Sequence, residues 1–287
     1  MKKDNLAIAV ISRSRPMGET FQWIRQAKIP VFAYIHEPEK TLYKEQLPEN
    51  FNIVTHNFNT VGEIRNYVHR HQAKQKNKVL ILDDDITGIW NHDKSFMASI
   101  NEIIEIINAT EADLILFQWQ LDVEAETIPL CGAYVAMPNM AHIKMNEGIY
   151  ENEDFDGYLQ YFLHGAKIHT LPFIFTHEIR SSDSHFNDIW KCLSMANMYK
   201  KYGDIVTLKF DMSGLYLTSE ISLDTAEKRK NGKIQYKNET NAVIEDCIQK
   251  IKLFFTSEGD KHKTVLLPEL QKILNGIRGV KTNEQNI

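Results

Sequence analysis

Val79-Leu80-Ile81-Leu82-Asp83-Asp84-Asp85 is the stretch on which the fold turns. Four consecutive large apolar residues are the pattern of a strand covered on both faces, as in a parallel sheet. Three adjacent carboxylates repel one another, and folding alone gains nothing by placing them where such a strand ends. In an open α/β sheet that end faces the crevice where ligands bind. Hard oxygen donors suit Mg2+ or Mn2+, ions that stay partly hydrated and bridge to substrate phosphates. In an extended segment Asp83 and Asp85 point to the same side, so two of the three acids can converge on one ion. The competing reading is an acidic turn in which Asp85 caps a short helix starting at Ile86.

Working outward, strands and helices alternate. Upstream, Leu6–Ile11, Val31–Ile35 and Phe51–His56 read as strands, and Gly18–Ala27 as a helix. Thr60–Gln75 reads as a second helix: Thr60 can cap it, Glu63 completes a capping box, and Val61, Ile64, Tyr67 and Val68 fall on one face. Downstream, Phe96–Ile107 reads as an amphipathic helix and Leu114–Phe117 as a buried strand. This alternation predicts an α/β domain with a mostly parallel sheet and flanking helices. Beyond residue 120 the spacing loosens. Cys131–Met137, Ile168–Phe175 and Ile205–Phe210 read as strands, Asp156–His164 as a short helix, and a further helix ends at Tyr202. Residues 211–240 are polar and irregular, and two helices are expected over about 241–254 and 267–277. The predicted organisation is a domain over 1–211, divided near 120, followed by a loop and helical extension over 212–287.

The chain has 287 residues, 43% of them hydrophobic, and a net charge of −5. That supplies one large core and is not the footprint of a protein held on nucleic acid by charge alone. The charge is uneven: residues 228–287 carry 12 Lys and Arg against 7 Asp and Glu. A basic tail can meet phosphate backbones, and it can equally be a solvated helical face. No apolar run approaches the ~20 residues of a membrane span. The apolar stretch after Met1-Lys2-Lys3 is too short for a secretion signal, so cytoplasmic residence is expected. Cys131, Cys192 and Cys247 lie far apart and read as buried thiols. Glycine-rich phosphate loops and zinc spacings are absent.

Three further groups carry chemistry. Ser12-Arg13-Ser14-Arg15 follows the first strand, where two arginines and two hydroxyls suit an anionic ligand. Arg65-Asn66 sits in the first turns of its helix, where Arg65 either meets phosphate oxygens or is a surface residue pairing with Glu63 or His69. Glu151-Asn152-Glu153-Asp154-Phe155-Asp156 places four acids in six residues at a helix start. Acids there complement the helix dipole, but four exceed what one cap needs.

Taken together, Leu6–Ile11 with Ser12-Arg13, Val31–Ile35, Arg65-Asn66, the Asp83-Asp84-Asp85 motif and the downstream acidic cluster resemble GT-A glycosyltransferases over residues 6 to about 210. The nearest likeness is to the TET-associated glycosyltransferase group, found among phages and beside DNA-modifying oxygenases. The resemblance implies a GT-A, Rossmann-like fold and a nucleotide-sugar donor, UDP-glucose above all. It implies donor contacts from Ser12, Arg13, Arg65, Asn66, Asp83 and Asp84. Mn2+ or Mg2+ would be held by Asp83 and Asp85 with His177 or His185 as an additional ligand. Asp154 would be the base of an inverting transfer, with Glu153 or Asp156 as substitutes. The implied acceptor is a 5-hydroxymethylpyrimidine in phage DNA, which places the protein in a host cytoplasm. A saccharide or other non-DNA acceptor, a non-catalytic nucleotide-binding relative, and a nucleotidyltransferase with paired carboxylates are the alternatives. Oligomeric state is not legible.

Overall fold

A computed structural model of the chain describes residues 5–91, 93–118, 132–145, 153–177, 198, 201–202, 205–211 and 216–230. It divides into two compact units, residues 1–183 and 184–287, upstream of the 211/212 boundary read from the sequence.

The first unit is an α/β sheet with flanking helices. Its chain order is β1 (Asn5–Ser12), α1 (Glu19–Trp23), β2 (Val31–His36), α2 (Lys40–Gln46), β3 (Phe51–His56), α3 (Val61–Lys74), β4 (Asn77–Asp83), β5 (Ile86–Asn91), β6 (Met97–Ala98), α4 (Ile100–Ala109), β7 (Leu114–Gln118), β8 (Ala133–Ala136), α5 (Glu153–Leu163) and β9 (Ile168–His177). The strand order is β3-β2-β1-β4-β8-β7-β9-β5-β6.

The half built from β3, β2, β1 and β4 is parallel, as the alternation predicts. The other half is mixed: β8 runs antiparallel to both β4 and β7, and β5 runs antiparallel to β9. Cys131–Met137 was legible as a strand, but not that β8 within it runs antiparallel between two strands that point the same way. β5 is a second correction. Ile86 opens a strand, so there is no helix at that point for Asp85 to cap.

The core follows from the apolar runs. Ala7–Val10 of β1 and Val79–Leu82 of β4 are buried together, with Ile8 and Leu80 facing each other in register. α4 lays Ile100, Ile103, Ile104 and Ile107 on the sheet. It begins later than expected because Ser99 and Glu102 form a capping box there, while Met97–Ala98 pair with β5 as an edge strand. α3 is capped by Thr60 and Glu63 as expected, but its buried face is not the expected one. Val61 is exposed, and Arg65, Asn66, Val68, His69 and Gln72 point inward.

In the second unit β10 (Val206–Asp211) and β11 (Tyr216–Ile221) form an antiparallel pair, followed by α6 (Leu223–Lys230). The latter two replace part of the irregular stretch read from the sequence. The helices expected over 241–254 and 267–277 lie outside the described residues.

Candidate active site

The carboxyl ends of β1 to β4 open on one cleft of about 320 Å3, within the range of small-molecule sites. Asp83, Asp84 and Asp85 line it, as do Ser12, Arg13, Arg15, Arg65 and Glu153. The fold thus brings together at the strand ends residues that are up to 141 positions apart, from Ser12 to Glu153.

The acidic turn is clamped from outside the triplet. The Thr20 hydroxyl donates to the Asp83 carbonyl at 2.7 Å and accepts from the Ile86 backbone N–H at 2.8 Å. It thus staples the two sides of the Asp84–Asp85 turn. Gly18 passes so close that a Cβ there would stand 2.5 Å from the Asp84 carbonyl oxygen. Any larger residue pushes the β1–α1 loop off the turn.

Each acid has a different environment. The Asp84 side chain is buried and turned back onto the loop after β1. It accepts from the Ser12 hydroxyl at 2.8 Å and the Arg13 N–H at 3.3 Å, and lies 3.7 Å from Arg15. Ser12 spends its proton on Asp84, so the Tyr43 hydroxyl donates to Ser12 while accepting from the Arg15 N–H at 2.9 Å. Ser14, at φ 58°, gives its N–H and hydroxyl to the two carboxylate oxygens of Glu39. These bonds hold the arginine-bearing loop in a left-handed turn. Burial raises the Asp84 pKa against the bonds that favour its charge. Asp84 therefore organises the loop, while Asp83 and Asp85 line the cleft beside it.

Asp83 is a third exposed and meets Arg65, whose Nη2 lies 3.3 Å from both carboxylate oxygens. The other arm of Arg65, Nη1, lies 3.1 Å from Glu153 Oε1. The guanidinium is 3% exposed and sits over the Tyr134 ring at 5.8 Å. Burial opposes its charge, but the carboxylates of Asp83 and Glu153 outweigh that and hold its pKa above the ordinary value. Glu153 opens α5. Burial pushes its pKa up to about 7 despite Arg65, with the nearby charges of Asp154 and Asp83 adding to the rise. Behind Arg65, His69 is buried between the hydroxyls of Tyr134 and Tyr161, 3.4 and 3.3 Å away. Burial drives its pKa down to about 3, so it is neutral.

The remaining expected residues fall elsewhere. Both amide atoms of Asn66 are engaged by the Met145 backbone, each at 2.9 Å. Asn66 is buried and ties a loop to α3; it is not among the residues lining the cleft. Asp154 is half-buried, accepts from the Phe155 N–H at 2.9 Å and does not line the cleft. Asp156 is fully buried in α5. It is Glu153, held in reserve in the sequence reading, that reaches the cleft. His177 ends β9, and its backbone lies in register with Ile86. His185 lies outside the described residues. The sequence reading missed Thr20, Tyr43 and Gly18, whose roles lie in loop contacts without periodicity. It also passed over His36, His56 and Phe58, which line the end of the cleft away from the acids.

Among the described residues no group of three or more His, Cys, Asp or Glu side chains is arranged to hold a metal. The donor set at the cleft wall is two hard carboxylates, Asp83 and Asp85. That fits a Mg2+ or Mn2+ ion that keeps water and takes phosphate oxygens from its substrate better than an ion in a closed protein cage. No helix among the described residues is long and apolar enough to cross a membrane.

The chain is similar to the solved glucosyl-3-phosphoglycerate synthase of M. tuberculosis (9% identical, covering 77% of this chain and 89% of that one, TM-score 0.49). It is also similar to the 4-diphosphocytidyl-2C-methyl-D-erythritol synthase of Anaerococcus prevotii (11% identical, 63% and 92%, TM-score 0.42). A third likeness is to a cytidylyltransferase from Leptospira borgpetersenii (9% identical, 90% and 99%, TM-score 0.40). No protein-family model matches the chain, and no curated protein does.

Proposed function

We propose that this chain is a metal-dependent glycosyltransferase that moves a sugar from a nucleotide sugar, UDP-glucose in the first instance, to an acceptor hydroxyl. One observation carries the reading: Arg13, Arg15, Arg65, Asp83, Asp85 and Glu153 converge on one cleft at the carboxyl ends of parallel strands. Cations there can hold a diphosphate, and the two carboxylates at the cleft wall can share an ion with it.

The residues divide the work as follows. Arg13 and Arg15 take the diphosphate, their loop fixed by Asp84, Tyr43 and Glu39. Asp83 and Asp85 would hold Mg2+ or Mn2+, which when bound offsets the charge on the departing diphosphate. Glu153, with a pKa near the working pH, accepts the proton of the acceptor hydroxyl. The new bond forms between that oxygen and the sugar's anomeric carbon, and the bond from that carbon to the diphosphate oxygen breaks. Attack from the face opposite the departing diphosphate, with Glu153 as the base, inverts that carbon. Arg65 steers Glu153 and Asp83 together. The DNA acceptor and the phage setting rest on the family resemblance and the basic tail alone.

The test is a donor screen with Mn2+ or Mg2+, in which release of nucleoside diphosphate is followed with and without EDTA. Acceptor arms contain saccharides or hydroxymethylated duplex DNA. Metal-dependent release of a nucleoside diphosphate from one sugar donor is expected. Release of pyrophosphate from a nucleoside triphosphate instead would make the chain a nucleotidyltransferase. A folded protein that binds no nucleotide would leave a non-catalytic fold.

A further inference from the structure

His56 closes β3 at the end of the cleft opposite the acids and is buried there. Its Nδ1 faces the backbone N–H of Phe58 at 3.3 Å. An amide N–H can only donate, so Nδ1 is the bare nitrogen and the ring proton sits on Nε2. That Nε2–H is buried and, among the described residues, has no hydrogen-bond partner. Native structures rarely leave such a donor unpaired, and where they do the exception calls for a reason. Here the ring lines a cleft bordered by flat neighbours. Phe58 stacks on it at 5.6 Å and 22°, and His36 meets it at 6.2 Å and 60°.

Position defines what could satisfy the donor. In the order β3-β2-β1-β4, His56 stands two strands from β1, whose end carries the arginine loop. Two strand spacings are roughly 10 Å. A nucleoside whose phosphates lie on Arg13 and Arg15 therefore extends its base toward β3, with the edge farthest from the ribose reaching His56. At that edge uracil and guanine carry a carbonyl oxygen, whereas cytosine and adenine carry an amino group.

Resting on the nucleotide-donor reading above, we propose that His56 is a specificity-determining residue that selects a keto base, its Nε2–H donating to the carbonyl on the distal edge. An amino group there would set donor against donor and leave both unpaired. Neutral His56 has no acceptor on that side, so it cannot accommodate both kinds of base by switching role. The nitrogen is covered by its neighbours, so binding requires the groups around it to turn aside.

The experiment is titration calorimetry of UDP, GDP, CDP and ADP, each with Mn2+, into the full chain and into His56→Ala and His56→Gln. Circular dichroism checks that each variant is folded. In the unmodified chain UDP or GDP should bind at least tenfold more tightly than CDP and ADP. The comparison of UDP with GDP shows whether the carbonyl belongs to a pyrimidine or a purine. His56→Ala should reduce the preference below threefold, and His56→Gln, whose amide nitrogen can still donate, should keep part of it. Equal binding of all four diphosphates, or a preference unchanged in His56→Ala, overturns the proposal while leaving the donor site intact. Binding of none by the folded chain overturns the donor reading as well.

Discussion

α3 and α4 begin alike and serve different ends. Each opens on a complete capping box, Thr60 with Glu63 and Ser99 with Glu102. α4 then buries four isoleucines, the apolar stripe that a core-facing helix requires. α3 buries Arg65, Asn66, His69 and Gln72 and leaves Val61 exposed. A helix does not bury that much polarity for stability, since each group must be desolvated and re-paired. The pairing is present: Arg65 with Asp83 and Glu153, Asn66 with Met145, His69 with two tyrosines, and Gln72 with Tyr34 and Asn77. The difference between the helices teaches that the polar inward face backs the candidate site through Arg65, while the apolar one builds the core.

That contrast breaks most readily at its two centres. Arg65→Met leaves the carboxylates of Asp83 and Glu153 facing each other without a cation. The expected cost is about 3 kcal/mol, roughly 6–12 °C in melting temperature, together with a loss of turnover of at least about a hundredfold. Ile103→Ala removes comparable stability, about 3 kcal/mol through the cavity it leaves, but should leave kcat unchanged wherever the protein stays folded. Thermal melts with parallel turnover assays measure both. If Arg65→Met also leaves kcat unchanged, the polar face of α3 is structural and the contrast fails.

A pH series sharpens the same comparison. With the Glu153 pKa raised to about 7, kcat/KM should fall about tenfold per pH unit below that value as the base becomes protonated. Glu153→Gln should show only a low, flat residue of activity. The stability effect runs the other way. A carboxyl whose pKa rises on folding stabilises the fold in its protonated form. That contribution is complete below its ordinary value of 4.5 and lost as the pH climbs through about 7. Denaturant titrations should therefore show Glu153→Gln gaining on the unmodified chain between those limits.

The smallest effect is at the caps. Thr60→Ala and Ser99→Ala should each cost about 1 kcal/mol by equal shifts in denaturation midpoint, because the two boxes are built alike. Unequal costs would show that the polar contacts of α3 also hold its first turn in place.

What could be read beforehand follows from the same physics. The parallel half of the sheet was legible because β1, β2 and β4 are apolar runs whose burial on both faces leaves few other readings. That the Asp triplet ends a buried strand at a cleft was legible from the apolar run leading into it; that Asp84 turns back to hold the loop after β1 was not. α2 was not, since a short helix with one buried residue, Tyr43, has almost no periodicity. α3 was placed correctly but its face was misassigned: Val61, Ile64, Tyr67 and Val68 do make an apolar stripe, yet the pairings available to Arg65 and Asn66 decide which side turns inward. Among the acids of the second cluster, Glu153 reaches the cleft and Asp154 does not, a difference of one residue's rotation that spacing alone does not resolve.

One further consequence lies in chain length. Between β4 and β5 stand β8, β7 and β9. Laid flat, those four spacings would need roughly 19 Å. Yet β5 starts three residues after β4 ends, and three links of extended chain reach no more than about 11 Å. The sheet must therefore curl until its far side returns to β4, and Asp84 and Asp85 are the thread that draws it shut. An inserted residue there would slacken the curl and part the site in one stroke, so the acidic turn is measured by its length as strictly as by its charge.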